Sequence, residues 1–440
     1  MRRLYLPLLL LLLYSQGWAV SSPIPKKLHV IRIDATLLSP LAIGLEVGRQ
    51  SKALFPDIEY RYDAHLAAIL NASAFDEILH KRLPSLLKQL DPAYQEEMKG
   101  VASVWSISSA SKLGDGQLSL EEYQILNLLP DLGLPTNGAG LGIFSKASAE
   151  ESPIAGRNLD WSSTPELRSL QAITVYQYAE QSWVNIGFAG VLSVMSGFNQ
   201  QGLFLAGINA DPFSPYEYSL PLPDNLNTSG FDLRKVLETR SSIQAAVRFL
   251  AGKTYGFSSS TLIADKKSAK VLEYTTDSNA ELRTWDSSVR TSKPWGRPQQ
   301  IAVVGCLVLP DMPDNCKDAN DAVRWQRLHE LMQFNPTQPA KVADVSSILF
   351  DTANRRYEIF NSQTLQSMIY LPENNHLYLY TAPVEGGHPA IPTHQAYLDL
   401  LAETDAGGID IVWLIWLLLL AMLGGIIWVR RQALPQQHKL

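Results

Sequence analysis

From Ile411 to Val429 the chain runs without a charged residue, carries Trp413, Trp416 and Trp428, and is followed at once by Arg430 and Arg431. Such a run is long enough to cross a hydrocarbon core, with tryptophans at headgroup level and arginines kept on the cytoplasmic side. It is expected to form a transmembrane helix over 411–429, with 430–440 as a cytoplasmic tail. The other end of the chain predicts the same topology. Arg2 and Arg3, the apolar stretch Leu4 to Tyr14 and the small-residue segment Gly17-Trp18-Ala19 read as a signal peptide over residues 1–19, too short to be a spanning helix. The expected protein is single-pass, its main domain extracytoplasmic (periplasmic in a bacterial source) and its C-terminus cytoplasmic.

What lies between these ends must stand on a hydrophobic core, because 46% of the residues are hydrophobic and only two are cysteines. That composition excludes a disordered chain, and two thiols cannot make a disulfide scaffold or a four-thiolate zinc site. With 37 Lys and Arg against 43 Asp and Glu, a net charge of -6 and no basic run, nucleic acid is not an expected partner. Cys306 and Cys316 flank a short loop, 307–315, that lets them meet. In an oxidising compartment a local disulfide is expected, the alternative being two thiols that merely pack.

Periodicity divides this region in two. Lys27 to Asp34 reads as a strand, and helical spacing then dominates in Leu41 to Leu54, Leu79 to Leu90, Tyr94 to Trp105 and Ser119 to Leu129. The last of these opens with Ser119 and Glu122 in capping-box spacing. The segment Asp131 to Gly142, rich in Gly and Pro, breaks the pattern. Beyond it strands are expected at Ala172 to Gln177, Trp183 to Phe188, Val191 to Ser196, Gly202 to Ile208, Thr261 to Ala264, Lys270 to Tyr274 and Ser367 to Leu371. Helices are expected at Asp232 to Glu238, Ser242 to Leu250 and Asn320 to Met332. The fold class is α+β, with a helical segment over 20–138 and a core over 139–405.

Most motif-like features have a plain reading. Ser111 to Glu122 mimics a calcium loop, but Leu113 would fall at a ligand position, so the segment is read as a helix entry. His388 and His394 share a proline-rich loop, and two ligands do not make a metal site. No HExxH, GxSxG or phosphate-loop motif occurs, and neither a metal nor a cofactor is implied. Gly156-Arg157-Asn158-Leu159-Asp160-Trp161 is more pointed, since it sets an arginine and a carboxylate three apart, either as a local ion pair or as a polarised site.

With its neighbours, that segment resembles the linear amide carbon–nitrogen hydrolases, the N-terminal-nucleophile group that includes acid ceramidase, N-acylethanolamine acid amidase, penicillin V acylase and bile salt hydrolase. The likeness continues through Gly197 to Leu203 with Gly207-Ile208-Asn209, Ser258 to Asp265 and Asn361 to Tyr370. Before the break it includes Glu96 to Ala102 and Asp115 to Ser119. It covers most of residues 28 to 385. It implies an αββα sandwich of the N-terminal-nucleophile hydrolase type and a small-molecule ligand that is an N-acyl amide or lipid-like. It also implies a site in which Arg157 and Asp160 match the group's arginine and aspartate and Asn209 matches an oxyanion-hole asparagine. Ser260 stands where a second such asparagine is expected, and Arg324 or Arg327, on the helix before Glu330, are candidate substrate-side charges.

In that group the chain cuts itself before a cysteine, whose freed α-amine, with a reference pKa near 8, serves as base for the thiol. Counted back from Gly156, the cysteine position lands on Ala139 to Leu141, and no nucleophile is there. Cys306 and Cys316 lie downstream of the arginine motif and cannot take that place. Three readings follow: a member that keeps the fold and ligand pocket without the catalytic cysteine; an active amide hydrolase that uses Thr136 or Ser145 after a shifted cleavage; or a non-catalytic, membrane-tethered binding module.

Overall fold

The structure is a computed structural model that describes residues 28–210, 225–277, 279–316, 319–353 and 358–402. Among the described residues no helix is long and apolar enough to cross a membrane. The expected signal peptide (1–19), membrane helix (411–429) and cytoplasmic tail lie outside them.

The chain opens with strand β1 (His29–Asp34) and then a set of helices, of which Pro40–Leu54 and Pro92–Val104 pack closely. A Cβ on Gly44 would overlap the Glu97 carbonyl, so the pair of helices touches backbone to backbone and needs glycine there. The short strands β2 (Ile107–Ser108) and β3 (Leu118–Ser119) lead into helix Leu120–Leu128, whose Ser119 and Glu122 form the expected capping box. In the calcium-like loop before it, the Asp63 carboxylate accepts the Gly114 and Gly116 N–H groups, both at 2.7 Å. It ties the loop to helix Ile58–Ile69.

Two hydrogen-bonded sheets follow. Strands β4 (Asn137–Ile143) and β5 (Ile154–Asp160) form a hairpin, and β6 (Gln171–Gln177), β7 (Trp183–Phe188), β8 (Ser196–Asn199) and β9 (Phe204–Asn209) meander antiparallel. Next come β10 (Ser259–Ala264), β11 (Ala269–Tyr274), β12 (Ala280–Arg283), β13 (Gln300–Val303), β14 (Thr364–Leu371), β15 (His376–Thr381) and β16 (Gln395–Tyr397). One sheet has the order β1-β6-β7-β8-β9-β10-β11-β12 and the other β13-β4-β5-β14-β15-β16. They face each other through side chains such as Phe198 and Phe204 of the first, stacked on Tyr370 of the second at 4.4 and 5.5 Å. Helices Ser229–Thr239 and Ile243–Leu250 cover the outer face of the first sheet, and Ala319–Leu331 and Val342–Leu349 that of the second. The layer order is therefore α-β-β-α.

Three expectations need correction. The glycine-rich segment that ends the helical half is partly strand, since β4 begins at Asn137. Its glycines serve packing, because a Cβ on Gly142 would overlap the Ala269 side chain of the facing sheet. Val191 to Met195 is not a strand, and of the expected stretch only Ser196 lies in one, as the first residue of β8. The Asn185 side-chain amide donates to the Val191 and Ser193 carbonyls at 3.2 and 3.1 Å, and Asn127 accepts the Leu192 N–H at 2.7 Å, so side chains take the bonds a ladder would use. Finally, the segment over 20–138 is not helical throughout, since its β1 lies parallel to β6 in the first sheet.

Buried charge fastens helix Pro92–Val104 of the helical half to helix Ser229–Thr239 on the first sheet. Arg234 is fully buried and paired with Glu97 and Glu238, both at 2.8 Å, with its guanidinium 4.6 Å from the Tyr94 ring. Near the same border Asp131 is buried and accepts the Ser229 N–H at 2.8 Å. Burial raises its carboxyl pKa to about 7.

Two predictions follow from this packing. Gly142→Ala should destabilise the protein by about 1–3 kcal/mol in chemical denaturation, as overpacking between rigid sheets does. Asp131 holds its proton more tightly folded than unfolded, so its contribution is complete at low pH and stability falls as pH rises from about 4 towards 7. Asp131→Asn should therefore raise the melting temperature at pH 8 and change it little at pH 4.

Candidate active site

Arg157 sits mid-strand in β5 and projects between the two sheets, fully buried. Its Nη1 donates to the Met195 carbonyl at 2.7 Å and to the Ser196 hydroxyl. Its Nη2 donates to the Gly207 carbonyl at 2.6 Å and to the Thr136 hydroxyl at 3.3 Å. Among the described residues the Nε has no partner. Among the described residues no carboxylate lies within ion-pair distance of this guanidinium. Burial pulls its pKa down to about 9, against the opposing field of Asp160, so it remains a cation at neutral pH. A buried cation held only by neutral oxygens is costly, and it is well placed to meet negative charge that develops on a neighbouring oxygen.

That neighbouring oxygen is the Thr136 hydroxyl. Thr136 is buried immediately before β4. Its hydroxyl also donates to the Gly207 carbonyl at 3.3 Å, and its own carbonyl accepts the Asn209 N–H at 2.7 Å. Two residues upstream, the Leu134 carbonyl accepts the Trp161 indole N–H at 2.8 Å, so the end of the arginine motif holds the chain that leads into Thr136. Thr136, Gly207 and Asn209 line a pocket with apolar walls from Met195, Ile208, Leu233, Tyr255 and Phe257.

Asp160 faces the other way, as a residue three positions along a strand must. Its carboxylate accepts Arg324 Nη2 at 2.6 Å, Asn361 Nδ2 at 2.9 Å and the Thr364 hydroxyl at 2.7 Å. Three of about four acceptor positions are used. In the β4–β5 ladder Asp160 is paired with Asn137, the residue after Thr136. Arg157 and Asp160 thus project from opposite faces of β5, Arg157 beside the Thr136 hydroxyl and Asp160 as the residue paired with Asn137.

The other candidates are placed differently from expectation. Arg324 is buried in the fold, its Nη2 donating to Asp160 at 2.6 Å and its Nε to the Glu358 carbonyl at 3.0 Å. Arg327 is paired with Asp351 at 2.8 Å and Glu330 at 3.3 Å and does not line the pocket beside Thr136. Ser260 does not line the pocket. Strand alternation turns it away, and its neighbours Ser259 and Thr261 line the pocket instead.

The counted nucleophile position also fails. The β4–β5 connection, 144–153, is long enough to push Ala139 to Leu141 to mid-strand, where Ala139 and Leu141 pack into the core under the second sheet's helices. Ser145 is at the far end of the hairpin, in the turn Ser145–Ala147, and is not brought to Arg157. Cys306 and Cys316 are bonded to each other, with Cα atoms 4.7 Å apart, so the chain has no free thiol. Among the described residues no cluster of ligating side chains could hold a metal ion. Sequence reasoning did not find Asn361, Thr364 or Ser196. A polar residue on a buried strand face carries no local signal until its neighbours are known.

No protein-family model matches the chain, and no curated protein does. Solved structures similar to it include a Caenorhabditis elegans N-acylethanolamine-hydrolyzing acid amidase ortholog, with a TM-score of 0.38 and 16% identity, covering 53% of this chain and 92% of that one. A mutant of conjugated bile acid hydrolase from Clostridium perfringens has a TM-score of 0.37 and 16% identity, covering 58% and 91%. Penicillin V acylase from Agrobacterium tumefaciens has a TM-score of 0.36 and 12% identity, covering 60% and 89%. Their names belong to the group that the arginine motif resembles.

If Arg324 serves Asp160 and not a ligand, Arg324→Met should destabilise the fold by about 3–5 kcal/mol, because it leaves a buried carboxylate without its cation. Urea denaturation measures this. Unchanged stability with weakened ligand binding would restore the substrate-side role.

Proposed function

We propose that this chain is a membrane-anchored, extracytoplasmic protein of the linear amide hydrolase type, with an N-terminal-nucleophile fold, whose pocket takes an N-acyl amide or similar lipid-like small molecule. In this reading the group's cysteine has been lost and Thr136 stands in its place. One observation carries it: the Thr136 hydroxyl, at the head of β4, lies against the buried and otherwise uncompensated Arg157 cation and opens on an apolar pocket.

The chemistry is that of a hydroxyl nucleophile. The Thr136 oxygen attacks the Pro135 carbonyl, the acyl group passes from nitrogen to oxygen, and water cleaves the ester, leaving Thr136 with a free α-amine. That amine, with a reference pKa near 8, then takes the hydroxyl proton when the oxygen attacks a substrate amide. In this reading Arg157 faces the charge that develops, and Asp160, paired in the ladder with the residue after Thr136, orients the amine. A second reading is a binding protein that keeps the pocket and never cleaves. It is favoured by the hydroxyl's bond to the Gly207 carbonyl, which is not a base.

Intact mass and N-terminal sequencing of the purified full chain after incubation at pH 5 and pH 7.5 separate the two. The proposal expects a new N-terminus at Thr136, kept in Thr136→Ser and absent in Thr136→Ala at equal thermal stability. A wild-type chain that stays uncut at both pH values would sink the nucleophile role and leave the binding protein.

A further inference from the structure

The one disulfide of the chain is built onto this site. Cys306 is buried just beyond β13, and its partner Cys316 is half-exposed. Between them the Leu307 N–H donates to Asn315 Oδ1 at 2.9 Å, and Asn315 Nδ2 donates to the Ala210 carbonyl. Leu307, Leu309 and Met312 pack with Ala210 as a small apolar cluster of their own. Ala210 directly follows Asn209, whose N–H holds the Thr136 carbonyl at 2.7 Å. At the start of the loop, Gly305 is pressed against the carboxylate of Asp321, one turn before Arg324, and a Cβ there would come within 3.0 Å of Asn137 Oδ1. The crosslinked loop therefore touches the end of β9 that grips Thr136, and Gly305, just before it, lies close to the residue after Thr136 and to the helix that holds Asp160.

We propose that the Cys306–Cys316 loop is a redox-controlled clamp on the site, with Asn315 as the positioning residue that transmits its state through Ala210 to Asn209 and Thr136. Oxidised, the crosslink keeps Asn315 against Ala210. A dithiol reductant that enters at Cys316 passes two electrons and two protons to the S–S bond, leaving two thiols and its own disulfide, and the Asn315 arm is released. The loop's middle stays anchored, because Glu273, paired with Arg283 at 2.7 Å, accepts the Val308 and Leu309 N–H groups at 2.9 and 3.2 Å. Release is thus local to the site, and a site of this kind is competent only where disulfides persist.

The inference rests on the reading that Thr136 heads the site, and its test does not depend on cleavage there. Hydrogen exchange is followed on the full chain in detergent, with and without dithiothreitol. Reduction should speed exchange of the Asn209 and Ala210 amides at least tenfold while Ile173 and Val175 in β6 stay unchanged. Asn315→Asp, which keeps the bond from Leu307 and loses the one to Ala210, should do the same with the disulfide intact. No change at Asn209 and Ala210, or an equal rise in β6, would overturn the clamp. Local release in a chain that never cuts at Thr136 would instead uphold the clamp and remove only the nucleophile reading.

Discussion

A guanidinium enclosed between two β-sheets without a carboxylate beside it is the constraint around which this molecule is arranged. Taking such a charge out of water costs several kcal/mol even after relaxation, and Arg157 recovers this only through four directed hydrogen bonds. Those bonds fix its neighbours in return. The end of β9, the start of β8 and the residue before β4 must all bring an oxygen to one point. This explains why β4 is glycine-rich, since only a lean strand lets the sheets approach closely enough for one arginine to reach across.

The contrast with the other buried arginines supports a functional reading. Arg234, Arg283 and Arg324 are as deeply buried, and each lies against a carboxylate at 2.6 to 2.8 Å. Where the fold needs a buried cation for cohesion, it supplies the counter-ion. At Arg157 it supplies carbonyls and hydroxyls, leaving the positive field for a charge that arises elsewhere. Asp160 is the complement: its oxygens are satisfied by Arg324, Asn361 and Thr364, on the face of β5 away from Arg157.

Much of this was legible in the sequence, for reasons that can be named. Arg157 and Asp160 stood out because a charged pair three apart in an apolar strand needs explaining, and the amphipathic helices and most strands of the first sheet announced themselves by period. Which residue lies beside Arg157 was legible only as an alternative, Thr136 or Ser145, because counting along a hairpin takes no account of a loop whose length is free to vary. The count landed on Ala139 to Leu141, whereas the hydroxyl that lies beside the Arg157 guanidinium is that of Thr136, just before β4. Ser260 and Arg324 were misplaced for a related reason. One residue of strand register, or one buried partner, decides whether a side chain faces a pocket, and neither is written locally. Val191 to Ser196 looked like a strand by composition and is held open by two asparagine side chains.

The central claim is that the Arg157 cation acts on the oxygen at position 136, and a thiol placed there reports on it. Both native cysteines are bonded to each other, so the thiol introduced by Thr136→Cys is the only one that titrates, and its thiolate absorbance can be followed against pH. An opposite charge in contact lowers a pKa by about 1–3 units from the ordinary thiol value near 8.5. The account predicts a midpoint below about 7.5 that rises when Arg157→Met is added. A midpoint at or above 8.5, or one that Arg157→Met leaves in place, would contradict it.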